Sequence, residues 1–221
     1  MRFRDRREAG RILAARLRYL RGHEPIVLGL PRGGVVVARE IANSLHAPLD
    51  ALPVHKIRIP RRPEPVLGAI GEREVVVSNP KTIRALRVTS AEFGRATRSA
   101  KADLTRRVSR YQQGRHPLRI AGRTVVLVDD GIATGASARA AIQVLRARQA
   151  ARIILAVPVA PLDVLRSLSP TVEQTVCALP LRRMSSVGAW YLDFAKVEDS
   201  EALRLLAREP EESVLVQAKR A

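Results

Sequence analysis

The sequence predicts an α/β fold: a doubly wound, mainly parallel sheet with a small hood subdomain. Strand-like apolar runs alternate with helix-like periodic segments along most of the chain, the pattern of right-handed strand-helix-strand crossovers. Thr124 to Val128 is a continuous β-branched and leucine run, as expected of a strand covered on both faces. The hydrophobic share is 46% but aromatics are only 3%, so the core must be built from Val, Leu, Ile and Ala, which suits helices layered on a sheet. A chain of 221 residues is long enough for one such domain and too short for two large ones. We expect one domain over residues 1–208 with the hood near 178–197, followed by a mobile tail at 209–221.

Asp5 can cap a first helix whose Ile12, Leu13, Leu17 and Leu20 share one face, and Gly22 with Pro25 stops it. Ile26 to Leu30 reads as a buried strand, Pro31 to Gly34 as a tight turn, and Val35 to Leu45 as a helix. Leu49 to Ile57 returns as a strand. Arg58 to Pro65 is an exposed loop by its proline and arginine content, and Val66 to Ile70 with Glu74 to Val77 form a strand pair turning near Gly71. Ser90 to Gln113 is helix-compatible, and its Arg95, Arg98, Arg106, Arg107 and Arg110 either form a solvated face or border a phosphate site. After the run at 124–128, Ala138 to Ala147 is a helix, and Arg152 to Val157, Leu162 to Leu168 and Val172 to Cys177 repeat strand, helix, strand.

The formal charge is +18, from 39 Lys and Arg against 21 Asp and Glu. A field of that sign attracts polyanions: nucleic acid, anionic membranes or phosphorylated small molecules. The arginines are scattered and lack interleaved aromatics, so nucleic acid is possible but not favoured. Cys177 is alone, which rules out an intramolecular disulfide and suits a reducing cytoplasm; a buried, inert thiol is expected. No apolar run approaches the roughly 20 residues of a membrane span, so no membrane partner is expected.

The chemistry is expected where the central strand stops. Val125-Val126-Leu127-Val128 runs into Asp129-Asp130-Gly131-Ile132-Ala133-Thr134-Gly135-Ala136-Ser137. Gly131 and Gly135 permit a loop that curls back and opens a helix, whose free N–H groups suit a phosphate. Thr134 and Ser137 add hydroxyls. Two carboxylates inside that loop would repel a phosphate, so Asp129 and Asp130 better serve just upstream, accepting from vicinal sugar hydroxyls or facing hydrated magnesium. A ribose 5-phosphate satisfies both halves.

This segment resembles the 5-phosphoribosyl 1-pyrophosphate (PRPP) signature of the type I phosphoribosyltransferases. The resemblance implies that Asp129 and Asp130 hold the ribose hydroxyls and that Gly131, Ile132, Ala133, Thr134, Gly135, Ala136 and Ser137 hold the 5-phosphate. Gly29-Leu30-Pro31-Arg32-Gly33-Gly34 resembles the family's pyrophosphate loop. By that likeness the Pro31–Arg32 bond is cis, and Pro31, Arg32, Gly33 and Gly34 face pyrophosphate. Lys56 falls where adenine phosphoribosyltransferase has an Arg-Lys pair, with His55 replacing the arginine, so only the lysine role carries over. Arg58, Arg61 and Arg62 follow in a loop that could close over the leaving group.

Val187-Gly188-Ala189-Trp190-Tyr191-Leu192-Asp193-Phe194 resembles the base-binding segment of hypoxanthine-guanine phosphoribosyltransferase, which implies acceptor contacts at Val187, Trp190, Tyr191 and Asp193. Ser186 stands where the purine-stacking aromatic would be, and Ala133 where that family has an aspartate as proton acceptor. None of His23, His46, His55 and His116 offers a replacement base. The chain as a whole is similar to phosphoribosyltransferase-like proteins, some of them fused to hydrolase domains. The expectation is a cytoplasmic, homo-oligomeric phosphoribosyltransferase. It uses PRPP and Mg2+, with Asp129, Asp130, Lys56 and Arg32 in catalysis, and transfers the phosphoribosyl group to a nitrogen acceptor such as a nucleobase. The alternative is a PRPP-sensing regulator that binds RNA or DNA.

Overall fold

The computed structural model describes residues 2–59, 66–71, 75–112 and 118–207. The expectations for Arg61, Arg62, His116 and the tail at 209–221 lie outside them. Asp5 caps α1 (Arg6–Arg16), its Oδ1 accepting from the Glu8 amide at 2.8 Å. The chain then runs through β1 (Ile26–Gly29), α2 (Gly33–Leu45) and β2 (Leu49–Ala51). A second group comprises β3 (Val54–Ile57), β4 (Gly68–Gly71), β5 (Val75–Ser78), α3 (Pro80–Ala85) and α4 (Ser90–Gln112). The chain returns with β6 (Thr124–Val128), α5 (Ala136–Ala147), β7 (Arg152–Pro161), α6 (Leu162–Leu168), β8 (Gln174–Leu181) and α7 (Asp199–Ala207).

Five strands form a parallel sheet in the order β2-β1-β6-β7-β8, so the predicted central strand is the middle one. Period-two alternation sends its side chains to opposite faces. Val126 and Val128 pack with α1, α2 and α7, whereas Val125 and Leu127 pack with α5 and α6. Both faces are dry, which is why the run is continuously apolar.

Leu49 to Ile57 is not one strand. Leu52 donates its N–H to the Gly29 carbonyl at 2.9 Å, and Pro53, which has no N–H, ends the pairing. The chain then crosses into a separate antiparallel sheet, β3-β4-β5. That sheet buries Ile57 and Ile70 against Ala96, Ala100 and Leu104 of α4. Its other side meets α5, where a Cβ on Gly71 would come within 2.0 Å of Val144 Cγ2. β7 continues past Val157 to Pro161, and α3 and α7 are additions to the expected elements. α7 buries Ala202, Leu205 and Leu206 in the cluster that contains α2.

Candidate active site

β1 and β6 are neighbours, yet α2 follows one onto the first face of the sheet and α5 follows the other onto the second. Crossovers that diverge in this way leave a crevice beyond the carboxyl ends of the strands. The cleft there has a volume of about 820 Å³. Its floor combines Pro31, Arg32 and Gly33 after β1 with Asp129 and Asp130 after β6, and its walls carry Lys56 from β3 and Ser137 from α5.

The floor is closely fitted. The Pro31–Arg32 peptide is cis. A Cβ on Gly33 would lie 1.9 Å from Asp130 Oδ2, so only glycine lets the first loop reach the second. Asp129 Oδ1 accepts the Asp130 amide at 2.9 Å. Burial, and then the neighbouring Asp130 charge, push the Asp129 carboxyl well above the usual carboxylate range, while the Lys56 ammonium opposes them. A cationic ligand group or a set of hydroxyls would relieve that crowding.

Beyond the acidic pair the loop divides. The Ile132 amide donates to the Val159 carbonyl at 2.9 Å and its side chain is buried in the core. Ile132 therefore leaves the expected set of phosphate donors. From Ala133 through Ser137 the amides have no backbone acceptor among the described residues, and Gly135 caps α5. Free amides at the positive end of a three-turn helix are the kind of arrangement that suits an anion.

Residues 5–167 match the phosphoribosyl transferase domain family. The chain belongs to that family. It is 44% identical over 206 residues to a Mycobacterium tuberculosis protein provisionally named a phosphoribosyl transferase, found in two strains. The match covers 93% of this chain and 46% of that protein, so the chain spans about half the length of its curated relatives. The crystal structure of TT1426 from Thermus thermophilus is 41% identical with a TM-score of 0.83, covering 93% of this chain and 98% of that one. A Staphylococcus aureus hypoxanthine phosphoribosyltransferase shares the fold at 10% identity and TM-score 0.50, with coverage of 82% and 76%.

On this phosphoribosyltransferase frame, the residues expected from sequence separate into two groups. Arg32, Lys56, Asp129, Asp130 and Ser137 line one cleft. His55 lies beside Lys56, with its Nε2 3.5 Å from Asp103 Oδ2, and Arg58 also reaches the cleft. Val187, Trp190, Tyr191 and Asp193 do not line it. Val187 packs over Gly131, where a Cβ would meet its Cγ1 at 2.4 Å. Tyr191 is 4% exposed, and its hydroxyl donates to the Asp130 carbonyl at 2.5 Å. Burial, followed by the charges of Asp130 and Asp129, raises the Tyr191 phenol far above its usual range, so it remains a donor. Asp193 turns outward to accept the Ala195 amide at 2.9 Å.

Sequence reasoning treated the first helix as packing and missed its first residue. Arg6 lines the cleft and binds Asp130 from 124 positions away, Nε to Oδ2 at 2.7 Å. Phe194, Lys196 and Asp199 line it from the hood, and Arg110 and Tyr111 from the end of α4. The Tyr111 hydroxyl donates to Asp199 Oδ1 at 2.8 Å, and Arg110 pairs with the same carboxylate. Arg110 lies on the helix that was read as a solvated face or the border of a phosphate site, whereas no local pattern marks the others, which reach the cleft only through tertiary contact.

Proposed function

We propose that the cleft binds PRPP with magnesium and transfers its phosphoribosyl group to a nitrogen acceptor, releasing pyrophosphate. The observation that carries this reading is a convergence at one crevice. Ser137 at the start of α5, two carboxylates at 129 and 130, and the cis loop with Arg32 line it together, as a 5-phosphate, a ribose and a pyrophosphate would need, and the amides at 133–137 lack backbone acceptors among the described residues.

The loop amides and the Ser137 hydroxyl would hold the 5-phosphate. Asp129 and Asp130 would accept from the ribose hydroxyls, fixing the anomeric carbon. Arg32 and Lys56 would stabilise charge on pyrophosphate as the C–O bond to the anomeric carbon breaks and the C–N bond to the acceptor forms. Among the described residues no group of three or more His, Cys, Asp or Glu converges into a metal cage. The crowded acidic pair instead fits outer contacts to an ion carried in on pyrophosphate. Magnesium there would neutralise the leaving group.

The basic surface finds a use that requires no nucleic acid. Arg16 donates to the carbonyls of Cys177 and Ala178, Arg21 to Ser44, Arg123 to Glu24, Arg146 to Thr171 and Arg148 to Leu118. These guanidinium groups tie elements together by satisfying carbonyls. No helix of the described residues is long and apolar enough to cross a membrane.

The test is calorimetric titration with PRPP and magnesium, joined to a screen of nucleobases and small amines for acceptor-dependent pyrophosphate release. We expect saturable PRPP binding that requires magnesium. Absence of PRPP binding at millimolar ligand would overturn the reading.

A further inference from the structure

We infer that Arg6 is a positioning residue: it fixes the Asp130 carboxylate for the ribose and ties that carboxylate to the hood. The inference rests on the PRPP reading above.

The Arg6 guanidinium makes three contacts at once. Its Nε donates to Asp130 Oδ2 at 2.7 Å, its Nη1 donates to the Ala195 carbonyl at 2.9 Å, and its central carbon lies 3.8 Å from the centre of the Phe194 ring. The side chains of Arg6 and Asp130 are only 11% and 18% exposed. An ion pair so enclosed is a poor stability device, because desolvating both charges offsets most of their attraction. What it does provide is orientation, since a rigid planar guanidinium held at Ala195 by one donor aims another at Asp130 in a way that an ammonium on a flexible stem cannot.

The rest of Asp130 is held by the same part of the molecule. Tyr191 donates to its carbonyl, and the Tyr191 ring packs 4.9 Å from Phe194, centre to centre. Phe3 and Arg4 bracket this unit, because the Phe3 amide donates to the Trp190 carbonyl and the amides of Leu192 and Asp193 donate to the carbonyls of Phe3 and Arg4. Residues 2–6 and 190–195 thus form one clamp, and among the described residues its only ionic contact with the acidic pair is Arg6. With Oδ2 engaged by Arg6, the Asp130 side chain still lines the cleft. Gly33 leaves the space in which this happens, since a Cβ there would also lie 2.8 Å from Arg6 Nε.

The experiment is titration of the full chain with PRPP and magnesium for wild type, R6A, R6K, D130N and the R6A/D130N pair, with thermal melts of each. R6A should weaken PRPP on the order of tenfold, the scale of one charge-assisted hydrogen bond. R6K should fall between R6A and wild type, because it keeps the charge and loses the planar guanidinium. R6A/D130N should bind no worse than D130N, because Arg6 acts through Asp130. Inorganic phosphate binding at the loop should be unchanged in every folded variant.

Wild-type affinity in both R6A and R6K would overturn the inference while leaving the PRPP reading intact. Additive losses in the pair would overturn it too, since they would mean that Arg6 acts elsewhere. If R6A fails to fold, R6K and the R6K/D130N pair decide on the same criteria. A wild-type chain that binds no PRPP would remove both the PRPP reading and this inference.

Discussion

Two regions build the cleft, and they do so in opposite ways. Residues 125–137 carry a strand, two carboxylates and an anion loop in one unbroken run, so each group is placed by the backbone next to it. The facing side draws on Arg6, Phe194, Lys196, Val197 and Asp199, with Arg110 and Tyr111 of α4, which meet only after folding. The first region therefore sets what ligand chemistry the cleft can perform, and the second sets how the groups are held and what stands opposite them. A motif can report the first kind of region and cannot report the second.

The contrast is tested most strongly by removing both carboxylates. Asp129→Asn with Asp130→Asn keeps side-chain size but exchanges acceptor oxygens for donors. At about 1.5–3 kcal/mol per charge-assisted bond, PRPP affinity should fall by roughly a hundredfold or more. The fold should persist, since both side chains line the cleft and do not belong to the apolar core. Unchanged affinity by calorimetry would mean that the contiguous region does not bind ribose.

Gly33→Ala strikes the joint between the regions. The added methyl falls 1.9 Å from Asp130 Oδ2, a contact that must push the carboxylate or the loop aside. Overpacking of this kind costs about 1–3 kcal/mol, so the melting temperature should drop by several degrees and PRPP should bind about tenfold more weakly. A crystal structure of the variant should show Asp130 turned away from Arg6. Full affinity with the carboxylate displaced would show that its placement matters less than its charge.

Asp129→Asn alone probes the cost that the contiguous region carries. The folded state holds the Asp129 proton more tightly than the unfolded chain, whose ordinary value is 3.8. Between that value and the raised one the unfolded state binds fewer protons, so wild-type stability declines as pH rises through this window. The variant lacks this penalty. It should melt higher than wild type at neutral pH, with the advantage vanishing below about pH 4. Equal melting temperatures from pH 4 to pH 8 would show that Asp129 is not strained in the free protein.

The same contrast governs how much could be read in advance. The main sheet, the middle position of β6 and the loop after it followed from apolar runs, glycines and paired aspartates that are adjacent in the chain. Leu49 to Ile57 misled because its pattern is strand-like on both sides of Pro53, and nothing local says that the two halves join different sheets. α7 is short and buries only Ala202, Leu205 and Leu206, too few to mark a helix face. Tyr191 was expected to meet an acceptor because residues 187–194 resemble the base-binding segment of hypoxanthine-guanine phosphoribosyltransferase. Its ring instead lies between Phe3 and Phe194, at 5.4 and 4.9 Å, and its hydroxyl points at the acidic pair from behind. A resemblance over eight residues could not predict which way their rings face.

Tyr191→Phe should give the smallest effect, and it is specific to the clamp. The ring keeps its packing, so only the hydroxyl bond to the Asp130 carbonyl is lost. A buried carbonyl left without its donor costs about 1–3 kcal/mol, reduced here because Asp130 lies at the cleft wall and water can reach it. The melting temperature should fall by a few degrees. PRPP affinity should weaken only a few-fold, since the Asp130 carboxylate remains held by Arg6 at 2.7 Å. The informative comparison is with R6A in the same background: if both residues hold Asp130, Tyr191→Phe should weaken PRPP more in R6A than in wild type. A purely additive pair would mean that Tyr191 supports the hood without steadying the carboxylate, so that Arg6 alone fixes that carboxylate from this side of the cleft.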